Sequence, residues 1–254
     1  MKKVIEEIIY DYVEKYMENP DLMARWEKPL IAFAYAKDPL FLKLKEFANP
    51  NHLLPEDVLE GANSVITYFL PFKESIPKSN KDGRNSSAEW ARAYIETNKM
   101  IASLNDYLIK SIVDMGYKAA KLKPSLNMDY EKLTSVWSNR HVAYVAGLGT
   151  FGLNNMLITK SGCCGRLGNI VTNIELKATK RPEKEYCLYK YDGSCEICVD
   201  KCVNDALFTD NFNRFKCFEI CEENDEIHNG LGGESQVCGK CLVEVPCSFT
   251  NPVG

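Results

Sequence analysis

Residues 187–202 read CLYKYDGSCEICVDKC and place four cysteines in the order Cys187-x7-Cys195-x2-Cys198-x3-Cys202. The run that binds iron-sulfur clusters in bacterial ferredoxins is C-x2-C-x2-C-x3-C, so five extra residues separate the first two cysteines here. A loop accommodates an insertion of that size without changing the order of the thiolates. The spacing therefore predicts ligands of a 4Fe-4S cluster.

A second group of cysteines repeats this arrangement, with Cys217 followed by Cys238-x2-Cys241-x5-Cys247. In ferredoxins with two clusters, the last cysteine of each run binds the cluster of the other run. The sequence therefore predicts two 4Fe-4S clusters with crossed ligands. The first is assigned to Cys187, Cys195, Cys198 and Cys247, and the second to Cys217, Cys238, Cys241 and Cys202.

The two C-x2-C pairs are also knuckle spacings of zinc sites, so one or two four-cysteine zinc sites are the alternative. The x3 cysteine and the division of eight ligands into two sets of four favour paired clusters. Three cysteines are left over. Cys163 and Cys164 are predicted to be small buried residues, with a position beside a redox site as the alternative, and Cys221 is expected to pack one turn past Cys217.

Composition places the chain among ordinary globular proteins. It has 254 residues, of which 45% are hydrophobic and 26% are charged. No apolar run approaches the ~20 residues of a membrane span, and the first residues lead into an amphipathic helix rather than a signal peptide. An odd number of cysteines, all from Cys163 onward, argues against a disulfide framework. We expect a cytoplasmic protein that does not associate with membranes.

Charge divides the chain into two parts. Residues 183–254 contain 14 acidic and 6 basic residues, while the preceding part contains 21 acidic and 25 basic residues. The basic residues are scattered rather than striped, so direct binding to duplex nucleic acid is not expected. An acidic surface suits a positively charged redox partner. Because the charged connector 177–185 separates the parts, we predict one domain over 1–182 and a second over 183–254.

Hydrophobic periodicity predicts helices alternating with strands before the cysteines. The long helix is expected to start at a capping box, Ser86-x-x-Glu89, and to end near Gly116. Alternating elements favour an α/β layered architecture, with strand order and direction left open. The other predicted elements are a helix over 2–19 and strands over 30–35, 64–70, 156–159 and 170–176.

Three glycines follow the predicted end of a helix, in the order Gly147-x-Gly149-x-x-Gly152. The letters match a dinucleotide-binding fingerprint, but that fingerprint follows a strand and opens a helix, whereas here a strand follows. A Rossmann turn is therefore not predicted. We interpret the glycines as positions where the backbone closely approaches a bulky cofactor.

The stretches AGLGTFGLNNMLIT (146–159) and GRLGNIVTNIEL (165–176), together with the cysteine pattern, resemble the cobalamin-dependent epoxyqueuosine reductases and, more distantly, the reductive dehalogenases. The resemblance covers about residues 133–254. It implies a nitroreductase-like α/β domain followed by a ferredoxin-like module that passes electrons to base-off cobalamin, which needs no histidine ligand. The positions it implies as lining the corrin are Gly147, Leu148, Gly149, Gly152, Asn154, Ile158 and Thr159.

Two positions depart from the pattern of that family. Aligned on the AGLG stretch, the catalytic aspartate falls at Leu133, and a lysine that usually follows the last glycine falls at Leu153. Neither leucine can donate a proton, so queuosine chemistry is not expected here. The candidate proton donors are His141 and Tyr144, which share a helix face, and the alternative is that this face is simply core. Further candidates are Tyr130 and Asp129.

The sequence thus favours an iron-sulfur oxidoreductase that feeds electrons into a pocket built around 146–159. Its expected cofactors are two 4Fe-4S clusters and, from the resemblance, cobalamin. Its expected partners are a low-potential electron donor of the ferredoxin or flavodoxin type and a corrinoid or small-molecule substrate. The alternatives are an electron-transfer protein or reductive activator of a corrinoid or flavin partner, and a zinc-bearing interaction module.

Overall fold

The computed structural model describes residues 1–122 and 128–254. None of the helices in this part of the chain is both long and apolar enough to cross a membrane. The helices are α1 (Lys2–Tyr16), α2 (Pro39–Phe47), α3 (Pro55–Val58), α4 (Ser75–Ser79), α5 (Ala88–Asp114), α6 (Asn139–Val145), α7 (Leu188–Asp192), α8 (Ile197–Asp200) and α9 (Arg214–Ile227). The strands are β1 (Leu30–Tyr35), β2 (Ser64–Pro71), β3 (Ala119–Ala120), β4 (Met128–Asp129), β5 (Thr134–Ser135), β6 (Gly149–Phe151), β7 (Leu157–Thr159) and β8 (Gly165–Thr172).

A four-stranded sheet in the order β1-β2-β8-β3 forms the centre of the fold. Each of its ladders is antiparallel, and β2 pairs with β8 from Ser64 opposite Thr172 to Pro71 opposite Gly165. Two short hairpins, β4–β5 and β6–β7, lie outside it. The expected mixture of helices and strands is confirmed, and the strand directions that the sequence left open are antiparallel.

Helices cover both faces of this sheet, which explains why β2 reads as a continuous apolar run. Ile66, Tyr68 and Leu70 of β2 point into one core, shared with α1 and α5. Val65 and Phe69 point into the opposite core, shared with α2 and α6. Because side chains alternate along a strand, each face of β2 is buried under its own helical layer.

The long helix α5 begins one residue later than the predicted capping box. Its N-cap is Ser87, whose hydroxyl oxygen accepts a hydrogen bond from the backbone N–H of Trp90 at 3.1 Å. The predicted cap, Ser86, instead donates its backbone N–H to Asn224 Oδ1 at 3.0 Å. The prediction was wrong by one residue because two adjacent serines are equivalent in sequence, and only a tertiary contact distinguishes them.

Strand β8 lies earlier in the chain than predicted, at Gly165–Thr172 rather than 170–176. Its first half contains Gly165 and Gly168, and glycine weakens the sequence signal of a strand. Neither glycine has room for a side chain. At Gly168, for example, a Cβ would lie 2.3 Å from the ring of Tyr68. The buried side chains of Ile174 and Leu176, which suggested the later strand, lie beyond the ladder.

The cysteine-rich segment packs along the loop that precedes α5. The buried amide of Asn80 donates from Nδ2 to the backbone oxygen of Cys238 at 2.8 Å. His228 Nε2 lies 2.9 Å from the backbone oxygen of Ser86, and Asn224 accepts from the backbone of the same serine. These contacts cross the predicted boundary between residues 182 and 183, so the two parts share a packed surface.

Candidate metal centre

Four cysteines that the spacing assigned to one cluster surround a single cavity. Cys187, Cys195, Cys198 and Cys247 line it together with apolar side chains such as Leu153. About 310 Å³ of space inside it is not filled by atoms, and part of that space is open to solvent. We call these four residues the first cysteine set. The backbone therefore brings Cys247 to the three cysteines of the other run.

Two thiols of the first cysteine set, those of Cys198 and Cys247, have raised pKa values and so oppose ionisation in the absence of a cation. The pKa of Cys198 is raised to about 12, mainly by burial and further by charge on Cys247, Cys187 and Cys195. Four thiolates so close together require a compensating positive charge, and metal binding supplies it because ligating cysteines must be deprotonated. The donor set thus fits a metal centre of several positive charges.

The second cysteine set comprises Cys202, Cys217, Cys238 and Cys241. Cys217 lies on α9, and a turn through Gly239, with φ of 75°, connects Cys238 to Cys241. The pKa of Cys238 is raised to about 11, mainly by burial and in part by charge on Cys217 and on Cys202. Cys241 has the other three cysteines among its charged neighbours. These four residues are thus also near one another.

The two sets adjoin each other. Cys198 of the first set belongs to a small core with Leu207 and Val245. Packed against that core are Cys202, Cys241 and Cys247. Both crossed cysteines, Cys202 and Cys247, therefore lie at the junction of the sets. The assignment of individual ligands to clusters stays a prediction.

A site for a single metal ion places its ligands in a different geometry from a site for a cluster. Within residues 1–122 and 128–254, no group of three or more His, Cys, Asp or Glu side chains is arranged to hold one metal ion. A cubane of four irons and four sulfides spreads its four thiolates farther apart than one ion does, so this finding concerns single ions alone.

The adjacent cysteines Cys163 and Cys164 are buried, as predicted, and both contact the cysteine-rich segment. Cys163 donates its backbone N–H to the backbone oxygen of Cys247 at 2.9 Å. Cys164 donates from Sγ to the backbone oxygen of Leu242 at 3.2 Å. The preceding residue, Gly162, has no room for a side chain, because a Cβ would lie 2.3 Å from the oxygen of Ser248. This turn holds the backbone of a first-set cysteine in place.

Cys221 does more than pack. Its Sγ donates to the backbone oxygen of Cys217 at 3.2 Å, one turn earlier on α9. A hydrogen bond between the two side chains lowers the pKa of Cys217. The only sign of this contact in the sequence is the spacing of four residues, which places two side chains on one face of a helix.

The three glycines of the Gly147–Gly152 stretch approach the chain itself. A Cβ on Gly149 would lie 1.9 Å from the backbone oxygen of Ile158, across the β6–β7 hairpin. A Cβ on Gly152 would lie 2.5 Å from Oδ1 of Asn154, and one on Gly147 would lie 3.1 Å from Cα of Arg181. Protein atoms thus fill the space on the side where a side chain would extend, while Gly149 and Gly152 also line cavities. Close approach of these glycines to a cofactor stays a prediction.

The other positions that the resemblance implied as corrin-lining are buried. They are Leu148, Asn154, Ile158 and Thr159. Asn154 donates from Nδ2 to the backbone oxygen of Cys241 at 3.2 Å, and Thr159 donates from Oγ1 to the backbone oxygen of Gly162 at 2.8 Å. Asn154 thus contacts the cysteine-rich segment directly, whereas Thr159 stabilises the turn at Gly162, which packs against Ser248.

The two candidate proton donors on α6 pack against the same ring. The ring of His141 lies 4.8 Å from that of Phe151, and the ring of Tyr144 lies 5.7 Å from it. His141 Nδ1 also lies 2.7 Å from Ser138 Oγ. Burial, followed by the charges of Arg140 and His52, lowers the pKa of His141 to about 4. At neutral pH this imidazole is uncharged.

A second, polar cavity of about 300 Å³ lies between α2, α6, β6 and the connector 177–185. Tyr144, Gly149, Thr150 and Arg181 line it, with the charged side chains of the connector. Arg181 is oriented by Asp38, which its Nη1 contacts at 2.8 Å, and by the backbone oxygen of Val145. Tyr144 is the candidate proton donor that borders this cavity.

Comparison with known proteins finds relatives at low sequence identity. No family model matches it. It is 27% identical over 159 residues to an epoxyqueuosine reductase of Cyclobacterium marinum, an alignment that covers 62% of this chain and 47% of the relative. It is 25% identical over 207 residues to one of Leadbetterella byssophila, covering 78% and 63%. The chain is thus similar to epoxyqueuosine reductases, at low sequence identity.

Solved structures of epoxyqueuosine reductases share its fold. The one from Bacillus subtilis has a TM-score of 0.58 at 20% identity, over 97% of this chain and 66% of that protein. Another, solved with an epoxyqueuosine-modified tRNA stem loop, has a TM-score of 0.55 at 21% identity, over 94% and 66%. The chain spans about half to two thirds of the length of these relatives.

The two leucines that the sequence comparison aligned with the reductases' aspartate and lysine lie in different surroundings. Leu133 has a positive φ of 49°, which is uncommon for leucine, and lies between β4 and β5. Leu153 lines the cavity of the first cysteine set. Tyr130 is 63% exposed, and Asp129 accepts backbone hydrogen bonds within its own turn. None of these four side chains borders the polar cavity.

Substitution of Gly149 tests whether its role is packing. We expect Gly149→Ala to lower the free energy of unfolding by about 3 kcal/mol, since the new methyl group must displace the backbone of β7. The matched control is Gly230→Ala, because Gly230 has open space around its Cβ position and should change by less than about 0.5 kcal/mol. Chemical denaturation measures both. If both substitutions change the free energy of unfolding by the same small amount, Gly149 is not tightly packed against β7.

The lowered pKa of His141 predicts a loss of stability in acid. The unfolded chain takes up a proton near pH 6.5, whereas the folded chain does so only near pH 4. Stability is therefore full above pH 6.5 and falls as the pH drops towards 4, by about 2 kcal/mol after allowance for partial exposure. His141→Phe, which keeps a ring beside Phe151, should flatten this slope. If the free energies of unfolding of the two proteins run parallel from pH 7.5 to 4.5, His141 is not the source of the loss of stability in acid.

Proposed function

We propose that this chain is an iron-sulfur oxidoreductase in which two 4Fe-4S clusters supply single electrons to a polar substrate cavity. The observation that carries the proposal is the position of the β6 segment. Residues of β6 line the polar cavity, and the residues that directly follow β6 line the cavity of the first cysteine set. We call residues 149–154 the β6 segment.

The distance along this segment is short. Gly149 and Thr150 face the polar cavity, while Gly152 faces the first cysteine set. Three residues of extended chain span about 10 Å. Thr150 Oγ1 also accepts a hydrogen bond at 2.8 Å from the backbone N–H of Tyr186, the residue before Cys187. Both covalent and hydrogen-bonded connections thus run from a cluster ligand to the wall of the cavity.

The residues proposed to hold the clusters are the two cysteine sets. In this proposal, residues 1–182 form a nitroreductase-like domain and residues 183–254 a ferredoxin-like module packed upon it. Crowded, buried thiols with raised pKa values support the binding of a cationic centre that keeps them deprotonated. A low-potential donor of the ferredoxin or flavodoxin type would supply the electrons.

The cavity suits a small, polar substrate. Its volume lies within the roughly 300–1,000 Å³ of typical small-molecule sites. The guanidinium of Arg181, oriented by Asp38, is available to bind a polar or anionic group. We assign proton donation to the hydroxyl of Tyr144, since His141 is already deprotonated at neutral pH and does not border the cavity.

A corrinoid is not part of this proposal. The residues that the resemblance implied as its binding surface are buried against one another and against the cysteine-rich segment. The backbone of β7 occupies the side of Gly149 on which a Cβ would extend, whereas another side of this glycine borders the polar cavity. Cobalamin stays a prediction from the resemblance, and no step is derived through it.

The substrate of the relatives is also not transferred. The curated relatives are named for the reduction of epoxyqueuosine, and one solved neighbour holds a tRNA stem loop. In this chain, leucines stand at the two positions aligned with the family's aspartate and lysine, and residues 183–254 carry an excess of eight acidic residues. An acidic surface opposes a phosphate backbone.

Metal analysis of the chain reconstituted without oxygen tests the proposal. We expect about eight irons and eight acid-labile sulfides per chain, because eight thiolates in two sets suit two cubanes. Cys164→Ser is the matched control, since this buried cysteine belongs to neither set, and it should keep the full complement. Zinc without sulfide would instead favour the zinc-bearing interaction module.

Single substitutions in the same experiment resolve which cysteine serves which cluster. Cys247→Ser should disturb the electron paramagnetic resonance signal that Cys195→Ser also disturbs. Cys202→Ser should disturb the signal that Cys238→Ser disturbs. Pairing of Cys247 with Cys238, or of Cys202 with Cys195, would contradict the crossed arrangement while leaving the clusters themselves in place.

A further inference from the structure

Trp90 has a buried hydrogen-bond donor without a partner. Its side chain is 4% exposed, and Nε1 finds no acceptor among the described residues. The indole of Trp26 is equally buried but satisfied, because its Nε1 donates to Thr97 Oγ1 at 3.1 Å. An unpaired buried donor costs about 1–3 kcal/mol, so such groups are rare in native proteins and often mark a functional role.

The edge of the indole that carries this N–H lies against the turn of the second cysteine set. A Cβ on Gly239 would be 2.6 Å from Nε1, Cε2 and Cζ2 of Trp90. Gly239 directly follows Cys238 and precedes Cys241 by two residues. Only a residue without a side chain allows this turn to come so close to the ring. The orphan N–H therefore lies beside the turn that connects two of the cysteines proposed to bind the second cluster.

Contacts on both sides fix this relationship. Lys240, between the two cysteines, is buried and donates from Nζ to the backbone oxygens of Asn80 at 2.9 Å and Asp82 at 2.7 Å. The amide of Asn80 in turn binds the backbone oxygen of Cys238. The ring of Phe72 meets the indole edge-on at 5.5 Å. Neither the turn nor the indole is free to move away from the other.

We propose that Trp90 Nε1 donates a hydrogen bond to a sulfur of the second cluster, either a cysteine thiolate or an inorganic sulfide. This inference rests on the proposed function, since it needs the cluster as acceptor. Thiolate and sulfide sulfurs accept hydrogen bonds, and such bonds are among the features that set the reduction potential of a cluster. The donor stabilises the reduced state, which carries one more negative charge, and so raises the potential.

Removal of the N–H is the direct test. We expect Trp90→Phe to lower the reduction potential of the second cluster while leaving that of the first unchanged. A tenfold loss in the equilibrium constant for reduction corresponds to about 59 mV for one electron. Redox titration of the full, reconstituted chain, monitored by electron paramagnetic resonance, measures both potentials. The signals are assigned with the Cys195→Ser and Cys238→Ser variants.

The matched control is Trp26→Phe, which removes an equally buried indole N–H bonded to a threonine. It should lower stability without moving either potential. In the wild type, exchange into deuterated solvent should also shift the iron-sulfur stretching bands, and Trp90→Phe should lose that part of the shift. An unchanged second potential in Trp90→Phe, with both clusters present, would overturn the inference alone.

A rescue variant distinguishes the hydrogen bond from simple packing. Trp90→His keeps a ring N–H and should retain the second cluster with an intermediate potential. If Trp90→Phe and Trp90→His both lose the second cluster, the indole serves as packing and the inference fails. If the wild type binds neither iron nor sulfide, both the inference and the proposed function fail. That result is distinct from the loss of the inference alone.

Discussion

Two glycines without room for a side chain hold the cysteine-rich segment against the rest of the protein. Gly162 admits the backbone of Ser248, and Gly239 admits the indole of Trp90. A Cβ at either position would separate the surfaces. The hydrogen bonds beside them, from Cys163 to Cys247 and from Asn80 to Cys238, depend on this close approach. One cysteine of each set is therefore positioned by residues outside the segment.

This arrangement gives the proposed reductase two separate routes to its cavity. Electrons would arrive along the β6 segment from the first cysteine set, since Gly152 faces one side and Thr150 the other. A proton would arrive from Tyr144 on α6, across the cavity from the connector that carries Arg181. The β6–β7 hairpin between them is tightly packed at Gly149. A rigid wall of this kind keeps donor and cavity at a constant separation.

The sequence predicted those features that depend on residues close together in the chain. The strand Leu30–Tyr35 was predicted with its observed bounds, because a short, continuous apolar run is typical of a buried strand. Cysteine spacing likewise grouped Cys187, Cys195 and Cys198. The start of β8 was missed because glycine in a sequence usually signals a turn. Gly165 lies in the strand because Leu70 and Phe69, across from it, leave no room for a side chain. Local patterns do not contain that information.

Features that depend on distant residues could not be predicted. Trp90 read as one more apolar position of a long helix, and nothing near it in sequence indicates a cysteine turn some 150 residues later. The close packing of Gly149 against Ile158 could not be predicted, because it requires knowledge of the opposing strand. The corrin-lining positions came from resemblance and stay a prediction. For Trp90 and Gly149 the deciding contact is made across the fold.

The pairing of β2 with β8 has a consequence for how the protein is assembled. It joins Ser64 to Thr172, so the central sheet closes only when residues far apart in the chain meet, and folds of high contact order form slowly. The turn at residues 160–164 leads directly into β8 and receives Cys247 only after that closure. Until then the cysteines are exposed thiols in an open chain. If these cysteines bind clusters as proposed, their ligand sets would be complete only after closure of the sheet. Thiol oxidation during synthesis would then compete with the delivery of iron and sulfide.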